Sequence, residues 1–289
     1  MVTNHLQTEA SQERMVREKR SVARNSLFAA VAITTLKALT AVATGSLGLL
    51  SETAHSGLDL VAALITYFSI RVSDKPADAI HQYGHGKVEN FSAFLETTLL
   101  LITCVWIVYE AVHRLLFRGV HVRPTAAAFA VLIFSMAVDW WRSRKLSVIA
   151  HRWDSQALEA DALHFSTDIW SSGVVVVGLI LVYFGERSHN LMLQKADPIA
   201  ALFVAGIVVQ VSWRLARKTI DALLDAAPVG IRNQIAQHLS RLDGVIAVDQ
   251  VRVRRAGNRY FADVQVAFER GVTFQRSEQL VAQVTQTVH

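Results

Sequence analysis

The spacing His-x-x-x-Asp occurs twice in this sequence, each time within an apolar run. His55 and Asp59 lie in "ETAHSGLDLVAALITYF", and His164 and Asp168 lie in "DALHFSTDIW", which leads into "SSGVVVVGLILVYF". On an α-helix, positions i and i+4 share a face with Cβ atoms about 5–6 Å apart, so each pair can reach around one ion. Two helices bringing one imidazole and one carboxylate each supply two nitrogens and two oxygens, a set that suits tetrahedral Zn2+ with bonds of about 2 Å. An aspartate at the centre of a bilayer costs about 3 kcal/mol on insertion scales, so two demand compensation, and a shared divalent cation provides it. A hydrogen bond within each His–Asp pair is the plainer reading, but it leaves the repetition unexplained.

A second group follows in "SDKPADAIHQYGHGKVEN". Asp78, His81 and His85 have ligand chemistry, and Gly84 and Gly86 permit tight backbone around them, so this loop can hold a metal at the membrane surface. Its plainer reading is a polar turn with two histidines. Lys37, Glu96, Glu110 and Asp139 are single polar residues in apolar runs, of which those near the run ends can snorkel, Glu52 is read as interfacial, and none of the five is assigned to the site.

These residues need long apolar helices to position them, and the composition supplies them. The 289 residues are 52% hydrophobic and only 18% charged. Six runs are long enough to cross a hydrocarbon core, at roughly 26–44, 47–72, 91–116, 125–141, 163–184 and 198–216. The Gly45-Ser46 connection makes the first two antiparallel neighbours. Lys and Arg near the run ends divide fifteen to five, Arg114, Arg118, Arg123, Arg187 and Lys195 being the five, which places both termini in the cytoplasm. The net charge of +5 therefore reflects topology rather than nucleic acid. Trp140 and Trp141 fall where an interfacial aromatic belt is expected. Residues 1–25 are polar and lack the pattern of a cleavable signal, and Cys104, the single cysteine, can form no intrachain disulfide.

After Pro228 the pattern becomes that of a small water-soluble domain. "GIRNQIAQHLSRL" carries Ile231, Ile235, Leu239 and Leu242 on one helical face. "VIAVDQVRVRRAG" and "RYFADVQVAFE" alternate as strands around an Ala256-Gly257-Asn258 turn, and "FQRSEQLVAQVTQTV" reads as a closing helix. Arg252, Arg254, Arg255 and Arg259 are read as an exposed face of this hairpin. The expected architecture is thus a membrane α-helical protein. It comprises a cytoplasmic tail (1–25), a six-helix transmembrane domain (26–220) and a small cytoplasmic α+β domain (221–289) of order α-β-β-α, ferredoxin-like or metallochaperone-like.

Taken in order, "SETAHSGLDL", "PADAIHQYGHGKVEN", "EADALHFSTD" and "LLDAAP" resemble the cation diffusion facilitator family of divalent-metal/proton antiporters, across nearly the whole chain. The resemblance implies a homodimeric transporter in the inner (plasma) membrane, exporting Zn2+ first and also Co2+, Cd2+ or Fe2+ in exchange for protons. It assigns His55, Asp59, His164 and Asp168 to the transport site and Asp78, His81 and His85 to a loop site. It also makes Lys87 and Asp225 a structural charge pair near the cytoplasmic face. Family members with Asp at the position of His55 have a broader preference that includes iron and cadmium. The sequence departs from the family in having only His238 and His289 as histidines of the C-terminal domain, only His151 after the fourth span, and no third strand before "TQTVH".

Two other classes compete. An intramembrane metalloenzyme needs an open coordination position, yet four protein ligands close this site and no HExxH motif is present. A haem protein with His55 and His164 as axial ligands leaves both aspartates without a role.

Overall fold

The computed structural model describes residues 2–44, 47–117, 126–188, 196–227 and 230–288. Six long helices come first: α1 (Val2–Thr44), α2 (Leu47–Ser73), α3 (Lys87–Phe117), α4 (Ala126–Trp153), α5 (Gln156–Ser188) and α6 (Ala196–Leu223). The C-terminal domain follows as α7 (Ile231–Leu239), β1 (Val245–Ala256), β2 (Arg259–Phe268) and α8 (Phe274–Val288). The Gly45-Ser46 connection and the segments with Arg118, Arg123 and Lys195 lie outside the described residues.

The helices are longer than their apolar runs. The polar stretch that precedes the first apolar run is helical and continuous with it in α1, a single helix of 43 residues. Its Glu, Gln, Lys and Arg are strong helix formers, and Glu13–Arg17 and Arg14–Glu18 pair one turn apart at 3.8 and 3.2 Å. Likewise α4 continues past Trp141 to Trp153, and α5 begins at Gln156, ahead of its apolar part. Among the described residues three helical stretches are long and apolar enough to cross a membrane: Ala10–Ala43, Thr53–Ser73 and Lys87–His113. The charges Asp139, Arg142, Arg144 and Lys145 interrupt α4.

Polarity in the bundle is inverted relative to a water-soluble protein. Phe28, Leu39, Phe68, Val105, Trp106, Phe203 and Trp213 point outward, while Lys19, Lys37, Thr66, Glu89, Glu96, Arg142, Asp161 and His164 are buried. An apolar exterior of this extent is stable against lipid, and the interior polar groups must then satisfy one another. They do so across helices. Thr34 donates to the Ser56 carbonyl at 3.0 Å, Arg20 to Asp74 at 3.1 Å and Ser143 to the Ala162 carbonyl at 2.8 Å, which fixes α1–α2 and α4–α5 as antiparallel neighbours. Ala23, Ile70, Leu146, Leu158 and Phe165 fill the apolar core between α1, α2, α4 and α5.

In the C-terminal domain β1 and β2 form an antiparallel ladder that ends Arg255↔Tyr260 and Ala256↔Arg259. The two-residue turn Gly257-Asn258 closes it, with Gly257 at φ +62°. Leu239 and Leu280, one from each flanking helix, are almost fully buried. The hairpin tip rests on the helical bundle. The Gly257 amide donates to Asn90 Oδ1 at 2.8 Å. The Gly86 and Gly257 backbones lie so close that a Cβ on Gly86 would stand 2.5 Å from the Ala256 carbonyl oxygen. The exposed-face reading of the arginines fails for two of them. Arg255 is buried and donates to the Asp154 carbonyl at 2.7 Å, and Arg254 stacks 3.6 Å over the Tyr83 ring. Alternation along a strand cannot register that the hairpin meets another domain.

Two aspartates hold the positive φ that few residues other than glycine adopt, Asp154 (φ 47°) and Asp225 (φ 57°). Both sit at helix ends and both carry an ion pair, Asp154 with Arg255 at 3.1 Å and Asp225 with Lys87 at 2.9 Å. The second pair forms within one chain, and Lys87 also donates to the Leu223 carbonyl at 3.3 Å.

Candidate metal centre

Helix α2 presents His55 and Asp59 one turn apart, and α5 presents His164 and Asp168 in the same way. The two helices face each other so that His164 Nε2 lies 3.0 Å from Asp59 Oδ1 and 3.7 Å from Asp168 Oδ2. His55 Nε2 lies 3.6 Å from Asp168 Oδ1 and 4.0 Å from Asp59 Oδ1. A tetrahedral ion with bonds near 2 Å requires ligand atoms about 3.3 Å apart. His55, Asp59 and Asp168 each offer a ligand atom within 4.8 Å of the others, and His164 Nε2 stands beside this group, close to both carboxylates.

The surroundings are asymmetric. The His164 side chain is 4% exposed, those of Asp59 and Asp168 are 13% and 14% exposed, and that of His55 is 36% exposed, so the centre opens at His55. His164 Nδ1 is buried without a hydrogen-bond partner, leaving Nε2 to face the carboxylates. Phe165 meets the His164 ring edge-on at 5.6 Å, and the Arg142 guanidinium covers the far side of Phe165 at 3.5 Å.

Several residues around this centre escape sequence reasoning. Lys37 does not snorkel: it is buried and donates to Ser56 Oγ at 2.8 Å, beside His55. Glu96 is also buried, accepting from Thr66 and from Ser92. Asp139 pairs with Arg142 at 3.3 Å. Arg142 in turn donates to Ser26, which donates to Asp161 at 3.3 Å. The side chains of Glu52 and Glu110 lie outside the described set. The available signal was spacing, since Glu96 follows Glu89 by seven residues, two turns along one face of α3, and Asp161 precedes His164 by three.

Asp78, His81 and His85 come together in the loop between α2 and α3. Asp78 lies 3.2 Å from His81 Nδ1 and 3.4 Å from His85 Nε2, and one ligand atom from each residue falls within 4.8 Å of the others. The His81 backbone amide donates to Asp78 Oδ1 at 2.6 Å, and this bond, with a second from the Ile80 amide, holds the carboxyl below the usual aspartate range. An ionised Asp78 suits a cation ligand. Tyr83, in the same loop, meets Phe261 of β2 edge-on at 5.6 Å, so the loop and the hairpin tip share one contact region.

Comparison with known proteins gives this arrangement its context. Residues 24–224 match the cation efflux transmembrane domain, and residues 228–289 match the cation efflux protein cytoplasmic domain. An uncharacterized transporter of Synechocystis is 32% identical over 266 residues, covering 88% of this chain and 81% of that one. The manganese efflux system protein MneP of Bacillus subtilis is 27% identical over 80% of this chain and 77% of its own. The cation-efflux pump FieF of Yersinia pestis is 27% identical over 83% of this chain and 78% of its own. The matched residues run through the bundle and on through the hairpin domain, and the chain belongs to the cation diffusion facilitator family of cation efflux transporters, which are not enzymes.

Proposed function

We propose that this protein exports a divalent transition-metal cation, Zn2+ first, from the cytoplasm in exchange for protons, and that His55, Asp59, His164 and Asp168 form the transport site. The observation that carries the proposal is the gathering of two imidazole nitrogens and two carboxylates, one of each from α2 and from α5, with nitrogen–oxygen distances of 3.0–4.0 Å. Imidazole suits zinc and its borderline neighbours Co2+, Cd2+ and Fe2+, whereas an all-oxygen set suits harder ions. The two nitrogens are the feature of this chain that favours such ions over manganese, which carboxylate and carbonyl oxygens suit.

Imidazole binds metal only when neutral, so a metal entering the site displaces protons from the histidines, and protons arriving later release it. A site that alternately holds metal or protons, opened first to one side and then to the other, couples the two fluxes. The proposal includes six membrane spans in the plasma membrane, both termini in the cytoplasm and domain limits near 26–220 and 221–289. It also includes a homodimer, a loop metal site at Asp78, His81 and His85, and a structural role for Lys87 and Asp225.

The test is Zn2+ uptake into proteoliposomes under an imposed pH gradient, comparing the native protein with His164→Ala and Asp168→Ala. Both variants are expected to lose uptake by about 100-fold or more, since even outer partners of metal ligands are worth 10–100-fold. Near-native uptake by either variant overturns the assignment of the site. Tight Zn2+ binding by the native protein with no flux overturns transport.

A further inference from the structure

A second acidic group is more fully buried than the metal centre and shares none of its ligands. Glu96 on α3 and Asp161 on α5 are both fully buried and within electrostatic reach of each other. Ala93 and Ala160, whose small side chains pack together with Leu215, bring α3 and α5 close at this level, with Glu96 one turn beyond Ala93 and Asp161 adjacent to Ala160. Each carboxylate has one oxygen bonded and one unused. Glu96 Oε1 accepts from Thr66 of α2 and Ser92 of α3, while Asp161 Oδ2 accepts from Ser26 of α1. Glu96 Oε2 and Asp161 Oδ1 are buried without a hydrogen-bond partner among the described residues.

The two acids are not equivalent. Asp161 faces Arg142 of α4, which also serves Asp139, and it senses His164 on its own helix and Asp59 of α2. Among the described residues, the groups facing Glu96 are two hydroxyls and the Asp161 carboxylate. Helix α6, packed on α3 and α5, has Ala205, Val208, Ser212 and Leu215 among its buried residues, none of them charged. Two carboxylates in mutual reach and away from water cannot both remain ionised, and the one lacking a cation is the one that takes a proton.

We propose that Glu96 is a proton-binding site in its own right, separate from the metal ligands, and that it gives up its proton when a divalent cation enters the centre formed by His55, Asp59, His164 and Asp168. The second half rests on the transport-site reading; the first does not. A doubly charged ion held between Asp59 and His164 offsets the negative field that Asp59 and Asp161 project, which favours the ionised form of Glu96. The proton leaves to water and the carboxylate remains. In this scheme the protons exchanged per metal include one that no metal ligand carries.

Infrared difference spectroscopy on the full-length protein in vesicles tests both halves. Metal-free native protein is expected to show a protonated-carboxyl C=O band that Glu96→Gln lacks. Thr66→Val, which removes a hydroxyl donor to Glu96, is expected to keep the band and shift its frequency. A band unchanged in both variants overturns the proposal, whether or not the protein transports metal. Adding Zn2+ should bleach the band in native protein, and a pH-indicator dye should count about one fewer proton released per Zn2+ bound by Glu96→Gln at comparable affinity. Equal proton counts overturn the linkage to metal. Absence of Zn2+ flux in native protein with the band present speaks against transport alone.

Discussion

At the scale of single residues, the centre is defined as much by Lys37 as by the four side chains proposed as its ligands. A buried ammonium within electrostatic reach of Asp59 opposes the charge of an incoming cation. Removing that charge while keeping the apolar stem, as in Lys37→Met, is expected to tighten Zn2+ binding by about tenfold, read by calorimetry. Replacing His55 by Asp exchanges a nitrogen for oxygens at the exposed corner of the centre. The ratio of Mn2+ to Zn2+ affinity should then rise, measured by competition on the same protein. In the loop, the hydrogen bonds that hold the Asp78 carboxyl low give a definite sign to the effect of pH. Its folded-state value is depressed, so its contribution is present above the unfolded value and is lost only as pH falls through the lower folded one. The contribution of the Asp78 carboxylate to metal occupancy of the loop should therefore survive acidification through the usual aspartate range. Zinc titrations of Asp78→Asn and His85→Ala across pH distinguish the two contributions.

At the scale of elements, the helices are joined by buried polar contacts at three levels. Lys19, Asp74 and Glu89 tie α1, α2 and the start of α3, with Lys19 Nζ 2.8 Å from Glu89 and both side chains 1% exposed. The next level holds Glu96 and Asp161, and the third holds the metal centre. Breaking a buried pair from one side leaves an uncompensated charge and costs about 3–5 kcal/mol, more than replacing both partners. Lys19→Met is thus expected to destabilise the bundle strongly, and adding Glu89→Gln should restore part of the loss, as a double-mutant cycle in thermal unfolding will show. The hairpin contact is steric instead. Gly86→Ala puts a methyl into the Ala256 carbonyl, and overpacking of this kind costs about 1–3 kcal/mol. Hydrogen exchange at 253–262 should accelerate, while the β1–β2 ladder remote from the tip stays protected.

At the scale of the whole molecule, the sequence disclosed those features whose signal is local. The paired His-x-x-x-Asp spacing needs only helical periodicity to put two ligands on one face, and the order of helix, two strands and helix after Pro228 needs only alternation and a Gly-Asn turn. What escaped depends on packing. Whether Lys37 or Glu96 reaches an interface or turns inward is decided by the partner helix, and Ser56 and Thr66 carry no long-range mark in the sequence. The docking of Arg254 on Tyr83 joins positions far apart in the chain, so neither segment announces it alone.

Helix α1 touches nearly every one of these levels. At 43 residues it is about 65 Å long, roughly twice the thickness of a hydrocarbon core. Along that length Met15 meets Asn258 of the hairpin, Glu18 meets Arg152 and Trp153 of α4, Lys19 meets Glu89, Ser26 meets Asp161, and Lys37 meets Ser56. Sliding α1 along its axis would break all of these contacts together, so it serves as the stationary shaft of the molecule, and α2, bonded to it at Thr34 and Lys37, and α4, bonded at Ser26 and Glu18, are carried with it. Any opening and closing of the centre then consists of other helices tilting against a fixed axle, and spin-label distances from α1 to α4 will stay constant while those from α1 to α6 change.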